Sequence, residues 1–395
     1  MAWGYVDDEA IEAARSLIGV PLKRERSRWV STATDDAIDH FVEGIGDANP
    51  LWVNAEYAKG TRWGGRLAPP TFLYAVDLTV VAPKLPGVQW LHAGTDWTFY
   101  DVVRLGDAYD VWAQLTEVNV KSGKFADRWV LQTGQIDYTR RSDGKLVCRA
   151  LGHTARTPRG EQLVKKDGSK KYEARDPHRY SAEELELIEK QILEEEVRGA
   201  EPRYIEDVQI GDPLGPVVKG PLTTTDIIAF YSGTLGARQY GGAHGNVVKY
   251  RKRHDDYTIS EITGAKDSAG RGHVEAKTGA DTVGMGGAYD LCPQRLSWGG
   301  QLLTNWMGDN GFVYQYNGRV KRPNLVGDTT WWSGEVTGTT EVLGRPAVEV
   351  SVRAVNQQDI QTAGGTAVIL LPSREKGPVE IPLPMEDGPG APTFQ

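Results

Sequence analysis

The chain has 395 residues, 39% hydrophobic and 25% charged, enough for two or three ordinary domains with a sizeable core. A net charge of −8 excludes the basic face that a nucleic-acid binder needs. Its two cysteines, Cys148 and Cys292, form neither a disulfide framework nor a zinc-type cluster, so a reducing cytoplasm is the expected compartment.

In chain order, the first residues carry Asp7 and Asp8 where a signal peptide would carry positive charge. No run of about eighteen apolar residues predicts a membrane span. The segment Ile18-Gly-Val-Pro-Leu22 has an echo in Ile210-Gly-Asp-Pro-Leu214. Each is followed by a helix-start signal, Ser31–Phe41 and Leu222–Phe230, in which Thr and Asp can cap the exposed amides of a first turn. Further on, Val103-Arg-Leu-Gly-Asp107 matches Leu325-Val-Gly-Asp328. Both lead into alternating, strand-like sequence at Ala108–Thr116 and Thr329–Val336, and longer strand-like stretches follow at Arg128–Thr139 and Ala347–Val355. Such an internal repeat means two units of one design. Its order, with helices first and strands after, predicts α+β units in which a helix packs on an antiparallel sheet. The predicted divisions are 1–157, a charged linker at 158–200, a second unit at 201–374 and a Pro/Gly-rich tail at 375–395. Within the linker, Ser181-Ala-Glu-Glu184 reads as a capping box, and Leu185, Ile188 and Ile192 fall at helical spacing among acids, predicting a helix over Ser181–Val197.

The stretch Gly46-Asp47-Ala-Asn49-Pro50-Leu51-Trp52, then Tyr57-Ala58, then Arg62-Trp-Gly-Gly65 and Leu67-Ala-Pro-Pro-Thr-Phe-Leu73 resembles the signature of the MaoC-like hydratases and dehydratases. The resemblance implies a double hotdog, in which two curved antiparallel sheets each wrap a central helix. It implies a water held between an Asp and a His, and a backbone amide at the helix start for the thioester oxygen. Position 52, where that His is expected, is Trp, whose indole donates but does not exchange protons at neutral pH. The first half then shapes the acyl pocket. Asp47 stands open between a part in the chemistry and an Asx turn with Asn49 and Pro50.

In the second half, His273-Val-Glu275-Ala276 and Gly284-Met-Gly-Gly-Ala-Tyr289-Asp290 resemble the family's His and glycine loop. A helix is expected over Pro293–Met307, with Asp290 as its cap. His273 is the leading acid/base candidate, with a structural loop histidine as the alternative. Its acidic partner is open, because Thr234 stands where the family has Asp and about forty residues intervene before His273. Asp267 is one candidate partner, and His244, in that insertion, is a second candidate histidine. Asn49, Trp52, Tyr289 and Asp290 are candidate substrate contacts. Arg251 and Arg253, in the basic run Lys249–His254, either hold the phosphates of a CoA or form a solvated charged face.

No phosphate-binding loop, dinucleotide fingerprint, zinc spacing or nucleophile elbow is present in the sequence. The expected function is a hydro-lyase acting on an enoyl- or 3-hydroxyacyl-CoA, with CoA as part of the substrate and neither metal nor further cofactor. A non-catalytic acyl-binding double hotdog and a hotdog thioesterase are the alternatives. A homodimer is expected, with no nucleic-acid or membrane partner.

Overall fold

Alternating burial makes the strands. In the stretch from Ala347 to Ala354, Ala347, Val348, Val350, Val352 and Ala354 are buried while Glu349 and Arg353 face out, a period of two that suits a sheet with one covered face. A computed structural model describes residues 4–24, 30–123, 126–164, 168–169, 172, 175–234, 236, 242–253, 257–260 and 263–384. Its strands are β1 (Pro21–Leu22), β2 (Leu67–Ala68), β3 (Gln89–Phe99), β4 (Val103–Arg104), β5 (Tyr109–Lys121), β6 (Trp129–Arg140), β7 (Leu146–Thr157), β8 (Pro213–Lys219), β9 (Thr258–Ile259), β10 (Lys266–Asp267), β11 (Phe312–Val320), β12 (Thr330–Val342), β13 (Arg345–Asn356) and β14 (Gln361–Leu370).

Ten of them form one sheet in the order β1-β5-β6-β7-β3-β11-β14-β13-β12-β8. The order reads as a mirror about the β3–β11 joint, so β3 corresponds to β11, β7 to β14, β6 to β13, β5 to β12 and β1 to β8. The repeat in the sequence is therefore a pseudo-twofold pair of hotdogs sharing one sheet.

The joint is short. Gly94–Thr98 pair with Gln315–Arg319, and there the backbones crowd. A Cβ on Gly94 would lie 2.3 Å from the Gly318 carbonyl oxygen, and on the far side of β11 one on Gly365 of β14 would lie 1.9 Å from that of Asn317. Beyond Gly94 the two strands part. β3 runs back to Gln89 paired with β7, while Lys321 and Arg322 donate their N–H groups to the Thr362 carbonyl at 2.8 and 3.2 Å on the β14 side. At the other end Tyr100 turns to Val147, while Phe312 pairs with Leu370. The shared sheet is thus split at both ends of its joint.

The helices follow their caps. Asp35–Ile45 starts at Thr34, whose side chain accepts from the Ala37 N–H, and stops at Gly46 with φ 65. Thr224–Thr234 starts at a reciprocal pair, with the Asp226 N–H on Thr223 Oγ1 and the Thr223 N–H on Asp226 Oδ2. The two pack together closely, with Phe41 and Phe230 ring centroids 6.3 Å apart. The second half's central helix, Cys292–Met307, is buried along nearly its whole length. Its first-half counterpart is only a 3-10 turn, Pro70–Phe72, and one helical turn, Leu73–Val76. The sequence after it, Leu78-Thr-Val-Val-Ala-Pro83, is β-branched and then proline, which ends a helix. In the linker the helix spans Ala182–Leu193 with the full Ser181–Glu184 capping box, and Ile188 is its buried anchor while Leu185 stays exposed. Among the described residues, no helix is long and apolar enough to cross a membrane.

Gly94→Ala should cost about 1–3 kcal/mol, because backbone on the far side of the joint must move. Urea unfolding measures this, and a midpoint equal to wild type would show that the joint yields freely.

Candidate active site

Where the strands part beside Gly94, a cavity of about 310 Å³ opens. Its first-half wall carries Leu78, Val80, Trp90, Leu91 and Trp129, and its second-half wall carries His273, Tyr289, Asp290 and the Leu291–Pro293 start of the central helix.

His273 ends the 3-10 helix Ala269–His273. Its Nδ1 lies 2.9 Å from the Tyr289 carbonyl oxygen. A carbonyl only accepts, so Nδ1 carries the proton and Nε2 of the neutral ring holds the lone pair. The carbonyl is well anchored. Tyr289 bridges to Leu325, and the flanking Asp290 N–H donates to Asn324 while Ala288 accepts from the Val326 N–H. The Tyr289 and Tyr231 rings flank the imidazole, with centroids 4.1 and 6.1 Å away. Burial pushes His273 down to about 4, with the Tyr289 and Asp290 backbone hydrogen bonds pulling weakly the other way.

Beside it the central helix begins at Leu291 with no side-chain cap. Its first-turn amides have no intrahelical acceptor, and the positive end of the helix dipole lies at the cavity. Asp290 does not cap this turn as the sequence suggested. Its carboxylate is bound on both oxygens by Arg295, with Nε to Oδ2 at 2.7 Å and Nη2 to Oδ1, and Asn324 adds a contact at 3.3 Å. Burial raises the Asp290 carboxyl, and Arg295 opposes it. The rest of the Arg295 guanidinium donates to the Arg322 and Thr362 carbonyls at 2.6 and 3.0 Å. This buried ion pair therefore pins the open end of the β11–β14 side.

The pseudo-symmetric place at the other split is nearly closed. Only about 40 Å³ remains there, among Trp52, Trp63, Phe99, Met307 and Phe312. Trp52 fills the place equivalent to that of His273. Asp47 and Asn49 lie next to it as turn-makers: Asp47 Oδ1 accepts the Asn49 N–H at 3.1 Å, and Asn49 Oδ1 accepts the Leu51 N–H at 3.0 Å. Asp47 is buried, with Oδ2 unpartnered, and burial pushes it up to about 6. The Trp52 indole lies close enough to draw the carboxyl down, yet its N–H completes no well-formed hydrogen bond.

The insertion candidates do not reach His273's cavity wall. Asp267 is exposed, its Oδ1 takes the Ser268 N–H at 2.7 Å, and Arg271 stands 3.7 Å from Oδ2. His244 is exposed at the start of the Gly245–Arg251 helix. Arg251 donates to the Lys266 carbonyl and Arg253 is exposed, while neighbouring Tyr250 lines the cavity instead. Cationic residues that do line it are Arg159, Lys321 and Arg322, besides the Arg295 already paired with Asp290. Sequence reasoning missed these, and also Cys292 and Arg295. For Arg295 a signal existed, a charge inside an apolar, glycine-bearing helix with an acid five residues earlier. Lys321 and Arg322 had none, since their place depends on where β11 leaves β3. His254 lies outside the described residues.

Residues 16–149 match the family model of the FAS1-like dehydratase domain region. UPF0336 proteins of Streptomyces avermitilis and Streptomyces coelicolor are 28% and 26% identical over 96 and 95 residues, 22% of this chain, which spans 63% of the length of each. A solved MaoC-like dehydratase superposes with TM-score 0.60 at 14% identity, covering 92% of this chain and 99% of that one. A conserved Mycobacterium tuberculosis protein with a double hotdog fold gives 0.51 at 11%, covering 94% and 96%. A MaoC domain protein dehydratase of Chloroflexus aurantiacus gives 0.51 at 14%, covering 87% and 93%. The family-model match stops in the first half, so His273 lies beyond it.

Two measurements check this geometry. The His273 ring should titrate near pH 4 by NMR, not near the ordinary 6.5. Its folded value lies below its unfolded one, so its contribution to stability is present above about pH 6.5 and is lost as the pH falls towards 4; a midpoint near 6.5 would contradict the enclosed ring. Arg295→Met should cost about 3–5 kcal/mol by leaving Asp290 buried and alone, and thermal unfolding at pH 7 reads it.

Proposed function

We propose that this chain, a MaoC-like double hotdog, is a hydro-lyase that interconverts an enoyl and a 3-hydroxyacyl thioester in the cavity beside Cys292. The observation that carries the reading is the fixed tautomer of His273, which leaves Nε2 able to accept a proton in a cavity bordered by an uncapped helix start. The dehydratase match over the first half supports hydro-lyase chemistry in general.

In the dehydration direction, Nε2 takes a proton from the α-carbon. The electron pair moves towards the thioester carbonyl, whose oxygen is held by the first-turn amides of the central helix. As the α,β double bond forms, the β-hydroxyl leaves and takes the proton from the imidazolium, so that one water departs. Hydration is the same path reversed. One histidine handles both transfers here, because the Asp290 carboxylate is engaged by Arg295. A conjugate acid with so low a pKa gives its proton back readily, and polarisation of the thioester supplies what the weak base lacks. Arg322 and Lys321, exposed at the rim, suit the phosphates of a CoA, in place of the insertion arginines. The acyl chain then lies along Leu78, Val80 and Trp129 of the first half.

The engaged carboxylate also favours a second reading, an acyl-thioester binder without turnover. His273→Ala separates the two. It should lower kcat by about 10²–10⁴-fold, with the affinity for a saturated acyl-CoA nearly unchanged; wild-type turnover in this variant would refute the assignment. Asp47→Asn should keep activity within a few-fold, and a loss of several hundred-fold at unchanged thermal stability would place the chemistry in the first half.

A further inference from the structure

The cavity's first-half wall is mainly apolar, with Gln89, His92 and Arg159 as its polar residues. Gln89, at the start of β3, lines the cavity among Leu78, Val80, Trp90 and Leu91. It is 2% exposed, and its Oε1 has no hydrogen-bond partner. Its main chain is fully engaged: it pairs with Thr157 of β7, and its carbonyl accepts from Arg156 at 3.3 Å. An unpaired carboxamide oxygen in such surroundings costs free energy until something pairs with it.

We propose that the acyl group of the substrate carries a hydroxyl remote from the thioester, and that Gln89 is the residue that selects for it. This rests on the cavity being the acyl pocket. His273 and the helix start stand on the second-half wall and Gln89 on the first-half wall, so the group that Gln89 meets is distal to the reacting carbons. A hydroxyl both donates and accepts, so it satisfies the carboxamide in either orientation of its oxygen and nitrogen. A plain alkyl chain would leave Oε1 buried and unpaired. Sites built to pair with a substrate polar group discriminate strongly against analogues that lack it.

The test is calorimetric binding of saturated acyl-CoA probes to the full chain. The probes are pairs of equal length, one ending in methyl and one in hydroxymethyl, from six to sixteen carbons. Wild type should bind the hydroxylated member about tenfold more tightly at one or two chain lengths. Gln89→Met, of similar volume, should erase that gain. A series in which no hydroxyl outbinds its methyl partner overturns the proposal, and so does a gain that survives in Gln89→Met. Because the probes do not react, an absence of turnover with enoyl-CoA substrates would count against the hydro-lyase reading and leave this outcome standing. If Gln89→Met fails to fold, Gln89→Leu takes its place, with loss of the gain expected and its survival overturning the proposal.

Discussion

The short pairing of β3 with β11 is the constraint on which the rest depends. Five residue pairs join the two hotdogs into one sheet, and glycines let the backbones meet. Because the pairing is short, each strand leaves its partner before it ends. Each departure opens a gap at the edge of the joint, and each gap faces one half's central-helix start across the other half's strand. The pseudo-twofold makes two such places from one rule.

Side chains then distinguish them. At one gap, Trp52, Trp63, Phe99 and Phe312 occupy the space. At the other, the Arg295 guanidinium binds Asp290 and the carbonyls of Arg322, on the departing chain, and of Thr362, on β14, which fixes the edge of the gap. The same pair removes a carboxylate from the neighbourhood of His273. Stability of the open end and the lack of a free carboxylate beside His273 thus have one cause.

Much of the fold was legible in the sequence because it is written locally. The echoes at Ile18 and Ile210, the caps at Thr34 and Ser181 and the alternation after Asp107 and Asp328 all act within a few residues of themselves. His273 and Tyr289 could be placed together because they flank one glycine loop. The Asp290 cap failed for a physical reason: an arginine one turn and a half further on competes for the same carboxylate and wins by charge. Lys321 and Arg322 at the rim, like Gln89 within the wall, come to the cavity because β3 and β11, more than two hundred residues apart, pair and then part, and no local pattern carries that. Asp267 and His244 sit in the insertion, whose path is set by packing and not by periodicity.

The central claim is that this cavity adds water across, or removes it from, the α,β bond of a thioester. The most direct measurement is proton NMR of an enoyl-CoA incubated with the protein in D₂O. The account predicts a 3-hydroxyacyl-CoA bearing one deuterium at the α-carbon, with the thioester intact. Release of free CoA and an unchanged enoyl acid, or an unaltered substrate across a range of acyl groups with and without a distal hydroxyl, would contradict it.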